Sequence, residues 1–327
     1  MQDKNMQPFL DSKKTRENPN DSNIESLKRI VFDGKESERS QAARKVLFGK
    51  NILSYNSVQY LRTLADENDK DNEPLLSIVT VTRNADEELA KTIESIKRYV
   101  EDVRVEFIIF DGMSTDTTRF LLESLDGVIC IRDEDSGVYD AMNKASLVAR
   151  GKFLFYLNSG DTLKIKSFNH ISKVIELEEY KNRDLIYFST ECTNSKGEKW
   201  IFFPNSVETI WAGMSFSHQG CFISRNAFIG SGKYNLSMGV TADYFLLNQL
   251  IIKGNYAEVK NFCFCSAAPF GISLEYYQRT INRLNVILKV YKDSEQLNDY
   301  VDFYNLLLRL PFEAAAKRVL KALNRVK

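Results

Sequence analysis

Residues 135–161 read DSGVYDAMNKASLVARGKFLFYLNSGD, and their reading decides the fold. Ser136-Gly137 is a turn pair, after which Val138, Ala141, Met142 and Ala145 recur at helical spacing. Gly151 then leads into an unbroken apolar run, Phe153 to Leu157, which reads as a buried strand. The run stops at Asn158-Ser159-Gly160-Asp161, a polar turn cluster that carries a carboxylate past the end of the strand. In open α/β sheets ligands collect at that carboxyl edge. Asp161 so placed is a natural oxygen donor to Mg2+ or Mn2+ bridging nucleotide phosphates; the plainer alternative is a solvated aspartate in a turn.

Upstream the same design repeats. Leu75 to Val81 is a β-branched strand, Thr82 to Asp86 offers helix caps, and Leu89, Ile93, Ile96 and Val100 fall on one helix face. Val105 to Phe110 is a second strand, residues 111–116 (DGMSTD) a turn, Thr117 to Leu125 a helix, and Val128 to Ile131 a third strand. Strands alternating with helices of this length imply βαβ units and a parallel sheet. Asp111 closes the second strand at the same edge as Asp161. There it can accept from a ribose hydroxyl or a uracil N–H, or serve the turn together with Ser114 and Asp116.

Downstream the pattern gives a helix at Ile171 to Tyr180 and strands at Leu185 to Phe188, Trp200 to Phe203 and Cys221 to Ser224. His218 precedes the last of these, where a lone histidine is more often structural than functional. A helix from Phe245 to Ile252, closed by Gly254, has Asp243 at its amino end, where the helix dipole alone would stabilise it. The flanks differ in character. Residues 1–23 are polar and expected to be disordered, 24–73 form a helical extension and charged linker, 74–270 the main domain, and 271–327 a helical carboxyl-terminal region.

With 327 residues and 43% hydrophobic content the chain can bury a large core. Its 44 basic and 44 acidic residues balance, and without a basic patch interleaved with aromatics nucleic acid is not an expected partner. No apolar run approaches the roughly 20 residues that span a bilayer, and the first residues lack an apolar signal core, so a cytoplasmic protein is expected. Five scattered cysteines suggest no disulfide framework. Cys263 and Cys265 would share one face of a strand, and buried packing explains them better than a metal site.

Taken in order, these segments resemble the inverting glycosyltransferases of family 2. The matching stretches are residues 77–84 (SIVTVTRN), 108–116 (IIFDGMSTD), 135–144 (DSGVYDAMNK), 151–161, His218-Gln219 and residues 242–244 (ADY). The pairing of SGVYDAMNK with NSGD is similar to the subgroup that builds bacterial surface polysaccharides of the colanic-acid type. The resemblance implies a GT-A fold: a Rossmann-like, mixed, mostly parallel sheet flanked by helices, with helical additions at both ends. It implies a nucleotide-sugar donor, UDP-linked, whose nucleoside is held by Thr82, Arg83 and Asp111, with Asp140 and Asn143 toward the diphosphate or donor sugar. It further implies Asp161 as ligand of Mg2+ or Mn2+, Asp243 as the base that takes the acceptor proton, and His218 and Gln219 beside a glycan or lipid-linked acceptor.

Two features depart from the family pattern. Asn158 and Gly160 stand where an Asp-x-Asp motif has acids, and Ala242 replaces the glutamate that precedes the base. They favour a second reading, a degenerate scaffold that binds a partner. A nucleotidyltransferase is a third, but residues 82–88 (TRNADEE) are not the Gly-rich, basic loop that cradles a triphosphate. Capsule and O-antigen are both among the surface glycans that the resemblance implies. Beyond Pro311, apolar Phe312, Val319, Leu320 and Leu323 oppose Lys317, Arg318 and Lys321. That basic amphipathic end suits the inner face of an anionic membrane or, equally, packing on its own domain.

Overall fold

A computed structural model describes residues 36–66, 73–97, 104–164, 173–194, 196–268, 276–310 and 312–323. The expected disorder of residues 1–23, the helical spacing near residue 27 and most of the charged linker lie outside them. A ten-stranded sheet runs through the protein. Its strands are β1 (Ile52–Leu53), β2 (Leu76–Thr82), β3 (Val105–Asp111), β4 (Val128–Arg132), β5 (Phe153–Tyr156), β6 (Thr162–Leu163), β7 (Leu185–Thr193), β8 (Lys199–Phe202), β9 (Cys221–Ser224) and β10 (Tyr256–Ala267). The order is β1-β4-β3-β2-β5-β9-β7-β10-β6, with β8 paired to β7 beyond the reach of β9. Neighbours from β1 to β5 are all parallel, as the βαβ reading requires, and β9 runs antiparallel between β5 and β7.

Alternation along each strand divides the core in two. Val79, Val81, Ile108, Phe110, Ile129 and Ile131 point to one face, and Ile78, Phe107, Ile109, Val128 and Cys130 to the other. Both faces are covered, which is why β2 to β5 read as continuous apolar runs. The first face receives Ala141, Met142 and Ala145 of the helix Val138–Val148, and the second receives Leu89, Ile93 and Ile96 of the helix Asp86–Ile96.

The amino-terminal extension packs on the main domain. Its helices, Glu36–Leu47 and Tyr55–Asp66, place Ala43, Leu47, Val58 and Leu61 in the first core, while β1 pairs with β4 at Ile52↔Cys130. Arg62 forms a buried ion pair with Glu106 of β3, whose carboxylate also accepts from Ser77 and from the backbone N–H groups of Arg150 and Gly151. Burial alone would raise the Glu106 carboxyl; Arg62, Ser77 and the Arg150 amide outweigh it and hold the group below its usual range.

Strand β10 was visible in sequence only around Cys263 and Cys265. A bulge explains this: its register against β7 shifts between Glu258 and Cys263 and again before Ser266, and Asn261 adopts φ 54°. Each shift breaks the period of two by which a strand is recognised. Cys265 is buried and Cys263 half-buried, and all five cysteines are free.

The carboxyl-terminal region is three helices, Tyr276–Val290, Leu297–Arg309 and Phe312–Leu323. They fasten onto the helix Ala242–Ile252 and the 3-10 turn Val207–Ala212. Trp211 stacks on Tyr300 at 4.4 Å, the Tyr304 hydroxyl donates to the Trp211 carbonyl (2.8 Å), and the Tyr291 hydroxyl donates to Asn248 Oδ1 (2.8 Å). The helix that carries Asp243 is apolar on nearly all sides because it lies between the sheet and these helices.

Candidate active site

The carboxyl ends of β2, β3 and β4 align in register as Thr82, Asp111 and Arg132. Asp111 is fully buried. Its Oδ1 accepts from the Ser114 amide (3.0 Å) and hydroxyl, and its Oδ2 is paired with the Arg132 guanidinium, which also donates to the Ser114 carbonyl (2.8 Å). Asp111 is thus the anchor of this corner, and Arg132, 19% exposed, is the group it orients. Sequence reasoning missed Arg132. The available signal was a charge directly after the apolar run Val128 to Ile131, one strand from Asp111.

Thr82 is buried, and among the described residues its Oγ1 has no hydrogen-bond partner. Arg83 is exposed, with its stem against Gly112. A side chain at position 112 would also meet the Asp135 carboxylate at 2.1 Å, so glycine there allows the two loops to close together. Asp116 serves the helix starts, accepting from the backbone N–H groups of Thr118 and Asp86.

Asp161 is turned inward. It is 3% exposed; Oδ2 accepts from the Asn158 amide (3.1 Å) and Oδ1 from the Ala268 amide (2.7 Å), tying the turn after β5 to the end of β10. Burial raises its carboxyl to about 6 despite these bonds and a further one from the Gln219 side chain. Among the described residues no three His, Cys, Asp or Glu side chains gather as a metal site. A hard cation needs several oxygens, of which Asp161 would supply one carboxylate and leave the rest to other donors. Asn158 beside it has a buried Oδ1 with no partner among the described residues.

On the helix Val138–Val148, Asp140 is partly exposed and accepts from the Ser136 amide (3.0 Å) beside Lys144. Partial burial would raise it, but the Ser136 amide and Lys144 hold it below the usual carboxylate range. Asn143 does not join it at the surface. Its carboxamide donates to the Tyr234 carbonyl (2.9 Å) and accepts from the Tyr234 amide (3.0 Å), which pins that tyrosine from both sides.

His218 is buried between Tyr156, on which it stacks at 5.2 Å, and the Tyr234 hydroxyl, 2.6 Å from Nε2. Burial lowers its pKa, with nearby Asp243 opposing the shift, so the ring is neutral near pH 7. Asp243 is partly exposed in the first turn of its helix, where Oδ1 accepts from the Tyr244 amide (2.7 Å). The Tyr139 phenol adjoins it and is driven upward by burial and then by the Asp243 charge. Asp161, Gln219, His218, Asp243 and Tyr139 thus form one connected neighbourhood. Asp111 stands on the same edge two strands from β5, about 10 Å at usual strand spacing.

A twisted, mixed sheet with its polar side chains gathered on the carboxyl edge defines an α/β protein of the GT-A type. S. aureus TarS residues 1–349 share this architecture, with a TM-score of 0.54 over 76% of this chain and 81% of that one at 13% identity. The model for glycosyl transferase family 2 matches residues 77–236. A PGL/p-HBAD biosynthesis glycosyltransferase of Mycobacterium bovis is 30% identical over 179 residues, 52% of this chain and 67% of its own. The Bacillus subtilis protein TuaG, named for teichuronic acid biosynthesis, is 32% identical over 97 residues, 28% of this chain and 38% of its own. The chain belongs to glycosyl transferase family 2 and is a glycosyltransferase.

Proposed function

We propose that this enzyme transfers a sugar from a UDP-sugar to a glycan or lipid-linked acceptor with inversion, in the assembly of a bacterial surface glycan. One observation carries the reading: Asp243 stands partly open beside Tyr139 and His218, at the edge where Thr82 Oγ1 and Asn158 Oδ1 have no partner among the described residues. A buried polar atom left unpaired costs about 1–3 kcal/mol, and a polar donor substrate would relieve both atoms. The names of the relatives agree with a surface-glycan role, and TarS has been solved with UDP and with UDP-GlcNAc.

The nucleoside lies across the ends of β2 to β4, where Arg132, steadied by Asp111, and the hydroxyl of Thr82 offer polar contacts. Arg83 supplies positive charge to the diphosphate, and Asp140 faces the donor side. In a single displacement the acceptor oxygen forms its bond to the anomeric carbon as the bond to the diphosphate breaks. Asp243 takes the acceptor proton on the face opposite the leaving group. His218, neutral and fixed by Tyr234, orders the acceptor side with Gln219. Asn143 acts one step removed, by holding Tyr234, and Asp161 acts by holding the turn that presents Asn158.

Contact with a membrane would be made by charge. On the terminal helix Lys317 and Arg318 are exposed, while Ala315 and Val319 pack inward in the cluster around Trp211. Lipid-linked acceptors would be met at that surface.

Thermal melting with UDP, GDP and TDP, each with Mn2+ and with EDTA, tests the donor. A nucleotide at 100 times its Kd adds about 2.7 kcal/mol of stability. UDP is expected to shift the transition, and a larger shift with Mn2+ than with EDTA would mark a divalent ion in the donor site; no shift with any nucleotide would overturn the donor assignment. The anomeric configuration of the product by NMR tests inversion.

A further inference from the structure

Strand β1 is two residues long, and it extends the sheet beyond β4. It pairs in parallel with β4 at Ile52↔Cys130 and Leu53↔Ile131, so the residues that follow it emerge at the carboxyl edge. Ser54 turns the chain there into the helix Tyr55–Asp66, its hydroxyl accepting from the Ser57 amide (3.3 Å). Tyr55, the first residue of that helix, comes level with Asp133. One of the unpaired amides of the first turn is thereby satisfied across the strands: the Tyr55 amide donates to Asp133 Oδ2 (3.0 Å), and the Asp133 amide in turn donates to the Asp111 carbonyl (3.1 Å). A single row then runs along the edge from Tyr55 through Asp133 and Arg132 to Asp111 and Thr82. Three strand spacings separate its ends, about 14 Å.

The Tyr55 ring is half-buried against the first core, on the side of the sheet covered by the helix Val138–Val148. Its hydroxyl remains at the surface. The phenolic oxygen accepts from Gln59 Nε2 one helical turn on (2.9 Å), and among the described residues the phenolic proton has no acceptor. Burial first and then the charge of Asp140 push the phenol upward, so the proton stays in place at neutral pH. Tyr55 precedes residues 77–236, which the family model matches, so this hydrogen-bond donor is brought to the edge by the amino-terminal extension.

A nucleotide laid along the row with its diphosphate at Arg83 points its base toward β4 and β1. In a pyrimidine nucleoside the 4-position faces away from the ribose, and in uracil that position is a carbonyl. We infer that Tyr55 selects the base of the donor by donating its phenolic proton to the 4-carbonyl of uracil, just beyond Arg132. Cytosine carries an amino group at the same place, which can only donate and would leave the phenolic proton unpaired. A site built to donate to a carbonyl discriminates against an analogue that lacks it. The inference rests on the reading of this edge as a nucleotide-sugar site, and adds the base that is selected and the residue that selects it.

Isothermal titration calorimetry of the full-length protein with UDP and with CDP, in the presence of Mn2+, tests it. The wild type is expected to bind UDP about tenfold more tightly than CDP. Tyr55→Phe keeps the ring and its packing and removes only the hydroxyl. It should weaken UDP about tenfold, the upper worth of one neutral hydrogen bond, and leave CDP within about twofold, with the urea midpoint unchanged. Wild-type affinity for UDP in Tyr55→Phe overturns the inference, as does an equal loss for UDP and CDP or a wild type that binds the two alike. A wild type that binds neither nucleotide overturns the donor assignment and this inference with it. Binding of UDP by the wild type together with an indifferent Tyr55→Phe overturns the role of Tyr55 alone.

Discussion

Asp111 and Arg132 are register partners at the carboxyl ends of two adjacent parallel strands, and their ion pair is closed on one side by the hydroxyl and backbone of Ser114. The pair is worth more as geometry than as attraction. Removing one partner leaves a buried charge uncompensated, at a cost of about 3–5 kcal/mol. Arg132→Ala should therefore lower the free energy of unfolding in urea by that order and remove the melting shift with UDP. A variant of wild-type stability, or one that keeps the full UDP shift, would show that this corner does not hold the nucleoside.

Asp243 differs from Asp111 and Asp161 in being partly exposed. Its replacement should act on chemistry and not on binding. Asp243→Asn is expected to cut transfer by about 10²–10⁴-fold, the usual worth of a positioned base, while the UDP shift and the urea midpoint stay near the wild type. Transfer that persists in this variant would assign the base elsewhere, with Tyr139 and His218 the adjoining groups to examine.

Gly220 sets the distance between the His218 turn and β7. An added Cβ would lie 2.5 Å from Thr190 Oγ1 and 2.7 Å from the Phe188 carbonyl, and backbone cannot move aside cheaply. Gly220→Ala should cost about 1–3 kcal/mol through overpacking and displace His218 and Gln219, so transfer falls further than stability explains. Gly230→Ala, where nothing lies within 4 Å of the new methyl, is the control and should be near neutral.

The sequence exposed those parts of the fold whose local pattern and final environment agree. β2 to β5 and their helices could be placed because each strand is covered on both faces and each helix shows one apolar face. Features set by contacts between distant segments stayed hidden. The pairing of Ile52 with Cys130, the bulges of β10 and the inward turn of Asn143 have no local signature. The same division runs through the site. Asp111, Asp161 and Asp243 were found by their place after strands or at a helix start. What each does depends on partners many residues away: Arg132 for Asp111, Ala268 for Asp161, Tyr139 for Asp243.

Asp161 supplies the last prediction, a pH dependence of stability. Burial raises its carboxyl from an ordinary 3.8 to about 6, because two backbone N–H groups and Gln219 do not replace the water it has lost. Between these values the folded chain keeps a proton that the unfolded chain has released. Stability from this group is therefore greatest below pH 4, falls as pH rises toward 6, and is level above. The full change is about 3 kcal/mol at 1.36 kcal/mol per pKa unit. Glu106 and Glu191 work in the opposite sense, since their lowered carboxyls lose stability as pH falls. Urea unfolding of the wild type alone would blend the two trends, so the comparison is made with Asp161→Asn, which cannot titrate at this position. The advantage of the wild type over this variant should shrink from pH 4.5 to pH 7. If the gap is constant or widens across that range, Asp161 is ionised at both ends, and the group is held by a cation or by water that lowers its pKa.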